Sequence, residues 1–203
     1  LTAYTLAPGD TVFIDTGAYT NATTPVVGPA DSGSQVGGAV TIRGAGTART
    51  FIYGGSGYGV QCLSAAYVRL DGLAFRGGAQ GVRVEESQHI EVLNSDIGSA
   101  GYGIVISGGS DHRVENCGVH DNGNEGVVAS SSPSLVLTGN RIYNHVSSAG
   151  PRHGIDLSYN CNAAQIVANI ITNNFGQGIR IYSCAAPVLR DNLVANHGQE
   201  GVY

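Results

Sequence analysis

A glycine followed by an apolar, a variable and a second apolar residue recurs along the chain. The copies are Gly59-Val60-Gln61-Cys62, Gly81-Val82-Arg83-Val84, Gly103-Ile104-Val105-Ile106, Gly126-Val127-Val128-Ala129, Gly154-Ile155-Asp156-Leu157, Gly178-Ile179-Arg180-Ile181 and Gly201-Val202-Tyr203. Their glycines lie 22, 22, 23, 28, 24 and 23 residues apart. A period in the twenties, made of alternating apolar residues and turn residues, leaves no room for a helix of useful length. It predicts a solenoid in which each coil stacks on the last.

A second register keeps step with the first. Leu70 and Phe75, Val92 and Ile97, Val114 and Val119, Leu137 and Ile142, Ile166 and Ile171, and Leu189 and Val194 repeat at 22, 22, 23, 29 and 23. The alternation predicts at least two short strands per coil, one at the glycine step and one across the second pair. Their apolar residues point inward, and equivalent strands pair in parallel up the stack. Asn140, Asn169 and Asn192 stand two before the last apolar residue of a coil, while Asp121, Asn144, Asn173 and Asn196 stand two after it. Asn and Asp tolerate left-handed backbone and cap nearby amides, so both rows read as corner chemistry forming side-chain ladders. His145 and His197 share a slot with Asn122 and Asn174 and read as corner residues too.

Composition narrows the class of partner. The chain holds 31 glycines against six prolines and no lysine, and its formal net charge is −5, so no basic stripe exists to neutralise phosphates and a nucleic-acid partner is excluded. No apolar run reaches the length of a membrane span. The four cysteines lack metal-ligand spacing, so neither a metal nor another cofactor is expected. Cys161 and Cys184 lie five residues before Ile166 and Leu189 and so share one slot in adjacent coils. Stacked strands about 4.8 Å apart fall within the Cα range a disulfide accepts. A Cys161–Cys184 bridge is therefore expected, and with it an oxidising, extracellular or cell-surface location. Cys62 and Cys117 read as small buried residues.

The opening of the chain breaks the period. Pro8-Gly9-Asp10-Thr11-Val12 leads to Gly17-Ala18-Tyr19, followed by Val40-Thr41-Ile42-Arg43-Gly44-Ala45-Gly46 and Val68-Arg69-Leu70-Asp71-Gly72-Leu73-Ala74-Phe75. These segments resemble the first coils of the pectin-lyase-like superfamily. The resemblance implies an all-β, right-handed parallel β-helix with coils of about 22–24 residues, here a single domain. Residues 1–58 would cap it and form its first coils, and 59–203 would be regular coils open at the C-terminal end. The superfamily includes polysaccharide lyases, epimerases, glycoside hydrolases and adhesins, so the resemblance implies a polysaccharide partner without fixing a reaction. The Asp-Pro-His-Asp signature of the epimerases is absent; Gly150-Pro151-Arg152-His153-Gly154-Ile155-Asp156 keeps only a Pro, a His and an Asp at altered spacing.

The register says where a site would lie. The step from the last apolar residue to the next glycine lengthens by about five residues between Ile142 and Gly154, and long connections are where function tends to sit. Beside that insertion, the row two after each glycine reads Gln61, Arg83, Val105, Val128, Asp156 and Arg180, and the row four after ends in Ser158 and Tyr182. Arg152, His153, Asp156, Arg180 and Tyr182 are thus expected to converge. An arginine such as Arg180 would neutralise a uronate carboxylate, and His153 or Tyr182 would take or give the proton on the adjacent carbon, with Arg152 and Asp156 binding substrate. The simpler reading of Asp156 and Arg180 is a cross-strand ion pair.

Two functions fit these features. One is a secreted protein that binds an acidic polysaccharide and, if an enzyme, acts as a lyase or epimerase. The other is a structural solenoid, an adhesin stalk or filament subunit that self-associates through its coil ends.

Overall fold

A computed structural model describes residues 5–145, 150 and 152–203. The chain winds into a right-handed parallel β-helix with three faces per coil. The first face carries the glycine step, in strands such as Tyr58–Leu63, Tyr102–Ser110, Val127–Ser130, Ile155–Ser158 and Ile179–Tyr182. The second contains Ala66–Asp71, Arg113–Glu115, Val136–Thr138, Gln165–Val167 and Val188–Arg190. The third contains Ala74–Arg76, Asp96–Gly98, Gly118–His120, Arg141–Tyr143, Ile170–Thr172 and Leu193–Ala195. Gln80–Leu93 runs unbroken round one corner, so the first two faces form a single 14-stranded sheet, while the third is a separate sheet of eight.

Both registers hold strand by strand. Asp156 pairs with Arg180 and Val128, and Leu70, Val92, Val114, Leu137, Ile166 and Leu189 form one parallel column. Each Leu70–Phe75-type pair straddles a corner instead of sharing a strand, which gives the coil three strands. The inward columns fill the coil with buried Val, Ile and Leu and the thiols of Cys62 and Cys117, whereas Ile181 and Val194 are partly buried and Leu189 is exposed.

Close approach, not turn geometry, imposes the repeating glycine. None of the repeat glycines lies in the left-handed region. A Cβ at Gly154 would stand 2.6 Å from the Ile171 side chain of the third face and 2.7 Å from the Gly178 carbonyl of the next coil. At Gly126 the same atoms come from Ile142 and Gly154, at 2.7 and 2.6 Å.

The two asparagine rows do different work. Asp121, Asn144, Asn173 and Asn196 adopt the left-handed backbone expected of corners, with φ of 53, 60, 57 and 59°. Asn140, Asn169 and Asn192 point inward, where Asn169 and Asn192 each accept the backbone amide of the preceding rung at 2.9 Å. A second inner ladder alternates types: Ala100 N donates to Asn122 Oδ1, Asn122 N to His145 Nδ1, His145 N to Asn174 Oδ1 and Asn174 N to His197 Nδ1. An imidazole nitrogen and an amide oxygen serve the same slot because each offers one acceptor at similar reach.

The expected Cys161–Cys184 bridge is not formed. The slot reading holds, since Asn160 N bonds Ser183 O across the two coils, but both residues are thiols. Each sulfur turns back to a carbonyl of its own coil, Cys161 to Ser158 O at 3.6 Å and Cys184 to Tyr182 O at 3.4 Å.

Candidate functional site

Residues one before each repeat glycine form a polar column on the first face: Tyr58, Gln80, Tyr102, Glu125, His153, Gln177 and Glu200. Backbone bonds hold its upper rungs together, with Gly126 N donating to His153 O and Gly154 N to Gln177 O. The row two after the glycine runs alongside it, and the two come closest in chemistry at the coil of Gly154.

There Arg180 Nη1 donates to Asp156 Oδ2 at 3.1 Å. The Asp156 side chain is only 14% exposed against 36% for Arg180, so the guanidinium is the member of the pair that faces solvent. Arg180 also lies over the Tyr182 ring, 6.0 Å from its centroid, and Tyr182 meets Tyr159 edge to face at 5.5 Å. Tyr159 and Tyr182 are both exposed, giving an aromatic ledge beside the ion pair.

His153 is buried, and a turn of the next coil clamps it. Gly176 N donates to Arg152 O at 2.8 Å and Gln177 N donates to His153 Nδ1 at 3.0 Å. A Cβ at Gly176 would fall 2.7 Å from Arg152 N and 2.9 Å from His153 Nδ1, so only glycine lets the turn close. Because Nδ1 accepts, the neutral ring carries its proton on Nε2. Burial lowers the His153 pKa, with the Arg180 charge acting in the same direction and Asp156 opposing it.

Glu125 completes the group. Burial raises its carboxyl pKa, and the charges of Arg152, Asp156 and Arg180 all act on it, so it belongs to the same cluster. Two buried polar atoms here have no partner among the described residues, Arg152 Nε and Asp156 Oδ1. Farther down the column, Gln80 Oε1 is a third. Ser132 Oγ, His145 Nε2 and Asn174 Nδ2 are likewise unpaired among the described residues but are not part of this cluster. Among the described residues no group of three or more His, Cys, Asp or Glu stands together as a metal site.

The structure thus brings Arg152, His153, Asp156 and Arg180 to one cluster and sets Tyr182 at its edge. Within the longer connection between Ile142 and Gly154, residues 146–149 and Pro151 lie outside the described residues. Sequence reasoning followed the rows two and four after the glycine and missed Glu125 and Gln177. Their signal was the slot immediately before the glycine, which is polar or aromatic in every coil.

The three-faced solenoid with a charged cluster along one face defines a right-handed parallel β-helix protein. The chain belongs to the family described as the right handed beta helix region, which matches residues 58–203. Among solved structures it is similar to the periplasmic alginate epimerase AlgG, with 19% identity, a TM-score of 0.73, and coverage of 97% of this chain and 48% of that one. It is also similar to an alginate lyase from Paenibacillus sp. str. FPU-7, with 14% identity, a TM-score of 0.63, and coverage of 96% and 92%. A third is the A-module of the Azotobacter vinelandii mannuronan C-5 epimerase AlgE4, with 16% identity, a TM-score of 0.62, and coverage of 96% and 65%. At these identities the likeness is one of fold, and the chain spans about half the length of the first of these structures. No curated protein sequence matched it.

Proposed function

We propose that this β-helix binds an acidic polysaccharide along its first face and cleaves or epimerises it at the Glu125–Arg152–His153–Asp156–Arg180 cluster. The observation that carries the reading is the pair of arginines beside a carboxyl group that burial keeps easy to protonate. The exposed Arg180 guanidinium and the Arg152 Nε–H, which has no partner among the described residues, are suited to a uronate carboxylate, whose charge they stabilise as its neighbouring carbon loses a proton. Glu125 is the group that exchanges that proton, because burial raises its carboxyl towards neutral pH, whereas His153, lowered by burial and with Nδ1 taken by the Gln177 N–H, serves as a neutral Nε2–H hydrogen-bond donor. Returning the proton to the opposite face epimerises the sugar, and expelling the oxygen on the next carbon cleaves the chain. Tyr182 and Tyr159 offer the ring faces on which a sugar stacks. Solved β-helix structures named for alginate epimerase and alginate lyase support the substrate class, and the one named as periplasmic supports a location outside the cytoplasm.

The test is proton NMR of polyuronides and neutral glycans incubated with the protein, which detects cleavage, new double bonds and epimerisation together. Turnover of a polyuronide is expected, abolished by Arg180→Ala, strongly reduced by Arg152→Ala and kept by Arg190→Ala on the second face. No turnover and no line broadening with any polyuronide would overturn the reading and favour an end-to-end structural assembly.

A further inference from the structure

The corner between the first and second faces carries a polar cleft of about 250 Å³, apart from the glycine-step cluster. It is lined chiefly by His89, Glu91, Asp111, Arg113 and Ser134. The backbone at this corner is left-handed in coil after coil: Tyr67, His89, Asp111, Ser134, Ala163 and Ala186 have φ of 53, 50, 59, 59, 55 and 51°. Asn, Asp and His are the residues other than glycine that most often adopt that conformation, and His89 and Asp111 are of this kind. Tyr67 is the bulky exception. Its ring stacks on His89 at 4.3 Å and 17°, so a strained position is spent on a layered ring platform at the edge of the cleft.

The charges at the cleft already have counterparts. Glu91 accepts from Arg69 Nε at 2.7 Å, Arg113 pairs with Glu115 at 2.5 Å, and the Ser110 hydroxyl donates to Asp111 at 2.6 Å. Two left-handed glycines, Gly108 and Gly109, turn the chain so that Ser110 and Asp111 reach the rim. A ligand with a full charge gains little from paired groups, and Asp111, held by a hydroxyl and not a cation, repels an anion. Carboxylate lone pairs, guanidinium N–H groups and a serine hydroxyl around a flat ring are instead suited to an uncharged molecule dense in hydroxyl groups.

We infer that this cleft is a second sugar-binding site, specific for a neutral saccharide unit, with His89 as its stacking surface and Glu91, Asp111 and Arg113 as its hydroxyl partners. The inference stands on the cleft alone and not on the reaction proposed for the first face.

Titration of the 15N-labelled protein with neutral tetrasaccharides of glucose, mannose, galactose and xylose tests it. At least one is expected to bind, shifting the amides of His89, Asp111 and Ser134. His89→Asn, which keeps a side chain suited to left-handed backbone, and Glu91→Gln are each expected to weaken binding about tenfold or more. His89→Asn should leave Tm nearly unchanged, because Asn and His both suit left-handed backbone, and Arg180→Ala should leave neutral-sugar binding intact. The inference fails if no neutral tetrasaccharide binds at about 10 mM, if the shifts centre elsewhere, or if neither cleft variant changes affinity. Tighter binding of a uronate tetrasaccharide at the cleft would also overturn it. Loss of polyuronide turnover in Arg180→Ala reports on the first face alone, so the two readings fail separately.

Discussion

Asn169 Oδ1 accepts both the backbone amide of Asn140, at 2.9 Å, and its side-chain amide, at 3.0 Å, while Asn169 Nδ2 donates to the Leu137 carbonyl of the preceding coil. One buried side chain therefore ties two coils together through three polar groups that have no access to water. Asn169→Leu keeps the volume but leaves the buried Asn140 backbone N–H unmet, at about 1–3 kcal/mol for an orphaned group. The expected loss is about 2 kcal/mol or more, read as a lowered urea midpoint with an unchanged slope. Asn173→Ala, at an exposed corner, is a contrasting case whose loss should stay near 1 kcal/mol, the cost of left-handed backbone without an Asx side chain.

The same logic gives the fold a pH dependence. Burial holds His145 and His112 down to about 4, against an unfolded value near 6.5. Between these values the unfolded chain binds protons that the folded chain refuses, so stability is complete above pH 6.5 and drains away as pH falls towards 4. Each histidine accounts for a loss of roughly 3 kcal/mol across that window. Thermal melts at pH 7.5, 6, 5 and 4 are expected to show Tm falling steadily below 6.5. His145→Asn places in this slot the residue found in the neighbouring rungs and should flatten the slope while preserving the Asn122 N–H acceptor. A slope unchanged in His145→Asn would mean that this histidine does not carry the effect.

The repeat glycines separate two causes of glycine use. Gly154→Ala would drive a methyl into Ile171 and the Gly178 carbonyl, neither of which is the free end of a flexible chain. Its expected cost is about 1–3 kcal/mol, as for other overpacked cores. Gly28→Ala meets nothing within 4 Å and requires no left-handed backbone, so its melting temperature should stay the same or rise slightly. Equal behaviour of the two variants in calorimetry would contradict the close-approach explanation.

Those glycines also explain how much of the molecule could be read in advance. Register survives into the structure because every coil must bury the same columns, so Leu70 through Leu189 and Asp156 beside Arg180 were fixed by spacing alone. The third strand of each coil was not, because a period-two pattern does not show that the chain bends between Leu70 and Phe75. Glu125 escaped for a different reason. Its role depends on burial and on Arg152 approaching from the next coil, which no count within one coil reveals. The disulfide is the converse case, since a shared slot sets the two thiols side by side but does not decide whether they are oxidised.

Thiol chemistry should follow that distinction. Burial raises Cys62 and Cys117 to about 12, which leaves almost no thiolate at neutral pH. Cys161 is pushed up to about 11, mainly by burial, with the Cys184 thiol beside it adding to the effect, and Cys184 is partly exposed. Diamide treatment of the native protein is expected to consume two thiols per chain without forming dimers, through a Cys161–Cys184 bond that needs only rotation of the side chains. Cys184→Ser should abolish the loss of both, whereas labelling of Cys62 or Cys117 before unfolding would contradict the assignment.

The proton chemistry proposed for the first face makes its own prediction through Glu125. If this carboxyl must be ionised to accept a proton, its raised pKa sets the acid limb of kcat/KM above the ordinary carboxylate range, and activity rises as pH climbs through that value. Glu125→Gln keeps the size and hydrogen-bonding reach but cannot titrate, so kcat should drop by about 10²–10⁴-fold and the acid limb should vanish. Arg152→Ala removes a positive charge that lowers this pKa, so its residual activity should show the limb displaced to higher pH. A Glu125→Gln variant with full activity and the same pH profile would leave the arginines in place as binding groups and rule out Glu125 as the proton carrier.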